Sequence, residues 1–287
     1  MAICILLAML ATQSPGQASG TDPLRSTDPA VIMRRSVEIN DQMFEMARDY
    51  TCKQRVERKH LGPRGEVKFI RIKTWDITNL FGKPYSRLIQ EDDKPLNAKD
   101  EKKEEEKLDK YFRKRNEESA EDRQKRQAKE KKEREEEWAF IREVASAYNF
   151  RIVGEEAIDG RDTWVIEVNP RKDFHPTQPH AGMLSRLKGK LWIDKQDYSW
   201  VKVDAEAIET VSLGLFIARI HKGSHFLFEQ VRVNDEVWLM RRFHVDVNAR
   251  VLLLSNRAVE LDEMFSNYKK FTTDSKILPE MHEVEPK

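Results

Sequence analysis

Apolar and polar residues alternate with a period of two through most of the second half of the chain, from about residue 150 to residue 271. The alternation is clear at 162–168, 187–193 and 198–206, where turn residues separate the runs. Such alternation between turns is typical of half-buried antiparallel strands. Strands that follow one another so closely predict a meander, a curved sheet or a barrel rather than alternating strands and helices.

The same pattern continues toward the end of the chain. Residues 224–233, 237–247 and 251–261 are predicted to form three further strands, with Asn234-Asp235 as the tight turn between the first two. Residues 211–220 are mostly apolar, which indicates a short helix or a buried crossing.

A helix and three strands are predicted before residue 97. Asp28 can cap a helix whose first position is Pro29, and apolar residues recur at helical spacing to about Asp49. Three runs that fit strands follow, at 52–58, 66–77 and 84–90.

The composition changes abruptly at Asn97. From 97 to 137 both charges interleave at three- and four-residue spacings, and Pro and Gly are absent. This pattern predicts a long solvated helix capped by Asn97, with Leu108, Tyr111 and Phe112 as a small apolar contact. The amphipathic residues 138–148 return it to the β domain. Two interpretations of 97–148 remain open: an exposed helical hairpin or spacer, or a lid or partner-docking arm.

The first eighteen residues have features of a secretory signal peptide. The apolar run Ile3–Ala11 is followed by small residues up to Ala18, where a signal peptidase can cleave, although no Lys or Arg precedes the run. The run is too short to span a bilayer, so we expect an exported chain with no permanent membrane span. The mature chain would keep Cys52 alone, for which we expect a buried side chain at the start of a strand.

The charge balance argues against one class of function. Charged residues make up 35% of the chain, but 51 basic and 50 acidic residues leave a formal charge of +1. Nucleic-acid binders usually carry a basic excess on one face, so we expect no nucleic-acid partner.

No motif of a known catalytic or metal chemistry is evident. His221 and His225 have the spacing of a helical zinc site, but Gly223 lies between them, and strand positions four apart are separated by about 13 Å. The Glu of a His-Glu-x-x-His motif, a nucleophile elbow, a phosphate loop and a Cys-x-x-Cys pair are also missing. We therefore expect no enzyme activity, no cofactor and no metal; a hydrolase without a recognisable motif is the remaining alternative.

Large aromatic residues are spread over consecutive strands, some on faces that otherwise carry polar residues. Trp192, for example, shares its face with Lys190 and Asp194. Such strands suit a sheet that is covered on both sides or that encloses a cavity. Either these residues fill a core, or they line a concave site for an acyl chain or another apolar ligand. The candidate ligand-binding residues are Trp164, Trp192, Trp200, Phe216, Phe226, Phe228, Trp238 and Phe243.

Four segments together resemble a known superfamily. They are Asp159-Gly-Arg-Asp-Thr-Trp-Val-Ile-Glu-Val168, Gly189-Lys-Leu-Trp-Ile-Asp194, Trp200-Val-Lys-Val-Asp204 and Phe265-Ser-Asn-Tyr-Lys-Lys-Phe271. Their order after an amphipathic helix is similar to that of the outer-membrane lipoprotein-sorting superfamily of LolA-, LolB- and RseB-like proteins. The resemblance covers 29–96 and 149–275 and is nearest to bacterial members with a charged helical insertion.

The resemblance implies an α+β, mainly antiparallel fold: a strongly curved, incomplete β-barrel with an N-terminal helix. It implies a periplasmic, non-enzymatic carrier or binding protein that receives lipids or lipoprotein acyl chains in an apolar concave cavity. No lipobox cysteine follows the signal, which disfavours a membrane-anchored receptor. The alternative function is an envelope sensor or assembly module that binds an envelope protein partner through residues 97–148.

The expected organisation of the chain follows from these segments. We expect a signal peptide at 1–18, a linker at 19–28, a single LolA-like β domain at 29–275 interrupted by the charged insertion 97–148, and a C-terminal tail at 276–287.

Overall fold

The structure, a computed structural model, describes residues 27–62, 65–178, 181–213, 218–251 and 255–270. The predicted signal peptide, most of the predicted linker, Phe216 and the predicted C-terminal tail lie outside the described residues.

The helices of the described residues are α1 (Pro29–Ala47), α2 (Ala98–Asn116), α3 (Ala120–Ala147) and a short 3₁₀ helix (Ala181–Arg186). Both predicted caps are confirmed. Asp28 accepts a hydrogen bond from the Ala30 amide at 2.9 Å, and Asn97 accepts one from the Asp100 amide at 3.0 Å. Each cap satisfies an amide that has no partner within its helix.

The charged segment forms two helices, where the sequence predicted one long helix over 97–137 and left a helical hairpin open for 97–148. α2 ends at Asn116, and Ser119 caps α3. The Ser119 hydroxyl accepts a hydrogen bond from the Asp122 amide at 3.1 Å and donates one to the Asp122 carboxylate at 2.8 Å. Because this cap satisfies a free amide, it favours a new helix start at this position.

The strands of the described residues form one antiparallel sheet. In chain order they are β1 (Tyr50–Leu61), β2 (Val67–Leu80), β3 (Lys83–Glu91), β4 (Lys94–Pro95), β5 (Tyr148–Ile158), β6 (Arg161–Pro170), β7 (Leu187–Asp194), β8 (Trp200–Ala207), β9 (Val211–Leu213), β10 (Ala218–Ile220), β11 (His225–Val233), β12 (Val237–Val251) and β13 (Ser255–Lys270).

The spatial order of the strands is β4-β3-β2-β1-β13-β12-β11-β8-β7-β6-β5, and β10 pairs with both β12 and β9. The sheet is curved and unclosed, with β4 and β5 at its two ends. The predicted class, α+β with a mainly antiparallel, unclosed sheet, is confirmed.

Two stretches differ from their predicted structure. Residues 211–220, predicted as a short helix or a buried crossing, contain the paired strands β9 and β10. β12 is 15 residues long, so its end pairs with β10 after its first part has paired with β11. The strand predicted at 251–261 instead begins at Ser255 and runs to Lys270, because β13 pairs with β1 as far as Tyr50.

The main apolar cluster lies between β5–β8 and the helices. Ile32 and Met33 of α1, Ala147 of α3, Ile166 of β6 and Ile193 of β7 are fully buried there. Burial of a large apolar side chain stabilises the fold by roughly 1.5–3 kcal/mol. In β6 four consecutive residues are buried, so this strand is covered on both faces, whereas its alternation predicted a half-buried strand.

α3 connects the two sides of the unclosed sheet. Lys83, the first residue of β3, forms an ion pair with Glu130 of α3 at 3.2 Å. α3 then continues directly into β5, which is the opposite end of the sheet. From Glu130 to Ala147 the helix rises about 26 Å, and this part of α3 spans the distance between the two ends of the sheet.

Candidate functional site

Two of the predicted ligand-binding residues, Trp164 and Trp200, belong to the main apolar cluster. The Trp164 ring centre lies 5.5 Å from that of Tyr198. The Trp200 indole donates a hydrogen bond to the Ser36 hydroxyl of α1. Both tryptophans therefore lie in the part of the sheet that α1 covers.

Trp192 and Trp238 lie together in a second buried cluster. Trp192 Nε1 donates to a Glu156 carboxylate oxygen at 2.6 Å, and Trp238 Nε1 donates to Asp197 at 2.9 Å. The Lys202 ammonium lies 4.7 Å from the centre of the Trp192 ring. These polar and cation–π contacts account for a large aromatic residue on an otherwise polar strand face.

The other described aromatic residues of the predicted set lie farther along the sheet. Phe226 packs on a small cluster formed by β8, β9 and β10. Phe228 and Phe243 are half-buried cross-strand neighbours on β11 and β12. The structure thus brings the described members together in separate groups, and helix side chains cover the group nearest α1.

α1 is held on the sheet by polar contacts as well as by its apolar side chains. Arg35 Nη1 donates to the Tyr198 hydroxyl at 2.9 Å, and its guanidinium carbon lies 4.7 Å from the centre of that ring. Ser36, one residue on, accepts the hydrogen bond from Trp200. Arg34 is exposed on the outer side of the same helix.

A buried ion network occupies the β7–β8 turn. Asp194, fully buried, accepts hydrogen bonds from Arg161 at 2.6 and 2.7 Å and from two backbone amides of the turn. Asp197 accepts from Trp238 and pairs with Arg161 and Arg232. Burial opposes ionisation of Asp197, but the Trp238 hydrogen bond and the Arg161 charge help to outweigh it, so its pKa is lowered. The paired carboxylates join β6, β11 and β12 to the turn.

The Gly189–Asp194 segment, which contributes to the family resemblance, has structural roles at both ends. A Cβ atom at Gly189 would lie 2.1 Å from the Asp204 carbonyl oxygen of β8, so the neighbouring backbone requires glycine here. Asp194 at the other end anchors the ion network.

Two buried glutamates attach the charged helices to the rest of the protein. Glu104 of α2 accepts a hydrogen bond from the Leu88 amide of β3 at 3.3 Å. Glu143 of α3 accepts from the amides of Thr177 and Gln178, each at 2.8 Å. A buried carboxylate requires such partners. Most side chains of the charged segment are exposed, as a solvated helix requires, and these specific polar contacts dock its helices on the rest of the protein.

A third buried glutamate, Glu130, joins α3 to the start of β3. It accepts a hydrogen bond from Arg126 at 3.0 Å and pairs with Lys83. Burial opposes its ionisation, but the hydrogen bonds from Arg126 and Lys83 outweigh burial and lower the pKa of Glu130. Arg126 also holds Glu118 in the connection between the two helices, at 2.9 Å.

Aromatic rings complete this attachment. Phe81, in the β2–β3 turn, has its ring centre 6.0 Å from that of Tyr111 and 5.6 Å from that of Phe112. The sequence predicted a small apolar contact on this part of the charged segment, and the contact with Phe81 confirms it.

A groove of about 500 Å³ lies between α2 and the strands β2 and β3. Trp75, Tyr85 and Leu88 line it from the strands, and Tyr111 lines it from α2 with its ring centre 5.0 Å from that of Tyr85. The charged lining residues are Lys73, Lys107, Lys110, Lys114 and Glu104. Reasoning from the sequence missed this groove, although aromatic residues on both sides of the charged segment were a signal for it.

The side chains with possible reactivity are engaged in the fold. Cys52 is buried in β1, as predicted. Burial, with a smaller effect of the Asp76 charge, raises the pKa of its thiol to about 11, so little thiolate forms at neutral pH. His225 Nε2 lies 2.7 Å from an Asp204 carboxylate oxygen.

The described residues offer neither a cluster of metal-ligating side chains nor a helix suited to a membrane. They contain no group of three or more His, Cys, Asp or Glu side chains arranged to hold a metal ion. None of the helices in the described ranges combines the length and the apolar character needed to cross a bilayer.

Comparisons with known proteins gave matches at the level of structure. No protein-family model and no curated protein matches the chain. Matching solved structures include a putative outer membrane lipoprotein-sorting protein domain from Vibrio parahaemolyticus, with 14% identity, 85% of this chain and 95% of that chain covered, and a TM-score of 0.32. Another is the LolA superfamily protein NE2245 from Nitrosomonas europaea, with 12% identity, 86% and 94% covered, and a TM-score of 0.29.

A third match is the MucA/MucB complex from Pseudomonas aeruginosa, with 10% identity, 83% and 99% covered, and a TM-score of 0.21. Two of these three structures are thus described as a lipoprotein-sorting protein domain and a LolA superfamily protein.

Proposed function

We propose that the protein is a periplasmic, non-enzymatic carrier that binds lipids or lipoprotein acyl chains on the apolar side of β5–β8. One observation supports this function above others: the large apolar side chains of these strands are covered in part by α1, a separate helix. In the proposed cycle α1 moves aside, and an acyl chain takes its place on Trp164, Ile193 and Trp200.

Burial of an acyl chain can replace the free energy that α1 contributes by burying its apolar side chains on the sheet. Burial of Ile32, Met33 and Val37 of α1 contributes roughly 1.5–3 kcal/mol for each side chain. An acyl chain gains about 0.8 kcal/mol for each buried methylene, so about eight methylenes replace the contribution of α1. The polar contacts of Arg35 and Ser36 then favour the closed state when no ligand is present.

The test is photo-labelling with a palmitic acid that carries a diazirine, followed by mass spectrometry of the labelled peptides. We expect labels on β6–β8 and on the inner face of α1. The double variant Arg35→Gln/Ser36→Ala should bind the probe about tenfold more tightly, because it loses hydrogen bonds that hold the closed state. Arg34→Gln, on the exposed side of α1, is the matched control and should leave the affinity unchanged.

Labels that are scattered over the surface would contradict the carrier function, as would equal affinities of the double variant and the control. Native mass spectrometry of protein isolated from an envelope fraction supplies an independent measurement. We expect a bound lipid that is lost on organic extraction.

The alternative function is the docking of an envelope protein partner through 97–148. In this case the partner would bind to the exposed surface of α3. There Glu121–Lys125, Lys129–Glu133 and Lys132–Glu136 form ion pairs in solvent. A deletion of 97–148 would remove the buried Val144 and Ala147, so substitution is the better test. If the purified protein carries no lipid and Lys129→Glu/Lys132→Glu releases a protein that copurifies with it, the result favours the partner-binding function over the carrier function.

A further inference from the structure

We propose that the groove between α2 and β2–β3 is a second binding site, specific for a small amphipathic anion: a single apolar chain with one anionic head group. The site lies on α2 and does not involve α1. The inference is therefore independent of the proposed carrier function.

The interior of the groove is suited to an apolar chain. Trp75 and Leu88 are a directly opposed pair on β2 and β3, so their side chains share one face of the sheet. The rings of Tyr85 and Tyr111 close the groove from the strand and from the helix. A volume of about 500 Å³ falls within the range of about 300–1,000 Å³ typical of small-ligand sites.

The rim of the groove is positively charged. Lys107, Lys110 and Lys114 follow one another at three- and four-residue spacing, which places them along one side of α2. With Lys73 they give four positive charges against the single negative charge of Glu104.

Two of these lysines are available to a ligand. Glu104 is already engaged by the Leu88 amide and by Lys107, and Lys73 pairs with Glu91 at 2.9 Å. Lys110 and Lys114 have no ion pair within the described ranges of the chain. An anionic head group at the rim would supply the partner that these two ammonium groups lack.

The charge and the apolar lining together determine the class of ligand. A neutral amphiphile would leave the rim lysines unpaired, a cationic one would be repelled, and an inorganic anion would leave the aromatic lining uncovered. We therefore expect the groove to prefer a ligand that carries both an apolar chain and an anionic head group.

Calorimetric titration with decyl phosphate below its micellar concentration tests the site. Decyl maltoside and decyltrimethylammonium, with the same chain, and inorganic phosphate, with only the head group, are the comparison ligands. We expect decyl phosphate to bind at least tenfold more tightly than any of these. Equal binding of the three decyl compounds, or equal binding of inorganic phosphate, would overturn the proposal.

The variant Lys110→Gln/Lys114→Gln locates the binding on α2. Both side chains are exposed, so folding should be unaffected, and the affinity for decyl phosphate should fall about tenfold. Lys125→Gln/Lys129→Gln, on exposed positions of α3, is the matched control and should bind as the wild type does. Equal loss in both variants would indicate general charge attraction and would overturn the site.

The two proposals fail separately. The lysine variant should leave the palmitic acid labels on β6–β8 unchanged. The loss of decyl phosphate affinity caused by Lys110→Gln/Lys114→Gln should be the same with and without the Arg35→Gln/Ser36→Ala substitutions.

Discussion

The helices attach to the sheet by two different kinds of contact. α1 and the last turns of α3 bury apolar side chains on β5–β8. α2 and the first turns of α3 attach to β2–β3 through Glu104, Glu130 and the rings around Phe81. The first attachment depends mainly on burial of apolar area, whereas the second depends more on ionised groups. The two should therefore respond differently to truncation, pH and salt.

The largest difference is expected on truncation of apolar side chains. Ile193→Ala in the main apolar cluster should lower the free energy of unfolding by about 2–5 kcal/mol, because it removes a fully buried side chain and leaves a cavity. Phe81→Ala in the second attachment should cost much less, since Phe81 is 43% exposed. Urea unfolding measures the free energy of unfolding of both variants. Equal losses of stability would contradict the difference between the two attachments.

Acid should weaken the second attachment through Glu130. The pKa of Glu130 is lowered in the folded protein, so the unfolded chain binds more protons near its ordinary pKa of about 4.3. Its stabilising contribution is therefore complete above this pH and is lost as the pH falls through the lower folded pKa. Glu130→Gln should cost about 1–3 kcal/mol at pH 7, and the difference from wild type should shrink below about pH 4.

Unfolding in urea at pH 7, 4 and 3 measures this difference, with hydrogen exchange of the first turns of α3 as a local probe. Glu133→Gln, exposed on the same helix, is the control and should show little change at any of these pH values. If the cost of Glu130→Gln instead grows on acidification, a lowered pKa of Glu130 in the folded protein is contradicted.

The smallest effect is expected for the solvent ion pairs of α3. Lys132→Gln removes the pair with Glu136 and should change the free energy of unfolding by about 0.5 kcal/mol or less. The difference should disappear in 1 M salt, which screens exposed charges. A larger loss, or one that persists at high salt, would show that this part of α3 contacts something more than solvent.

The arrangement of strands could be predicted well from the sequence, because alternation and turn residues are local signals. β7 was predicted to carry the large aromatic Trp192 on an otherwise polar face, and Leu191, Trp192 and Ile193 are all buried, so this strand is covered on both faces. The sequence also contains a signal for the division of the charged segment. Ser119 is followed three residues later by Asp122, which is a typical helix start. This signal was missed because the charge pattern is uniform on both sides of Ser119 and the run contains no Pro or Gly.

The buried glutamates could not be predicted in this way. Glu104, Glu130 and Glu143 have the same local surroundings as many exposed glutamates of the segment. What distinguishes them is a distant partner: the amide of Leu88, the ammonium of Lys83 and the amides of the 177–178 loop. The groove was missed for the same reason, because β2, β3 and α2 meet there only after the chain has folded.

The hydrogen bond between Glu104 and the Leu88 amide has a consequence for association between molecules. β4 pairs with β3 only at Gln90 and Glu91, so α2 lies beside the remaining outer edge of β3. An uncovered strand edge is a template on which another polypeptide can add a strand. Because α2 lies beside this edge, loss of α2 would expose the β3 edge to pairing with a strand of another molecule.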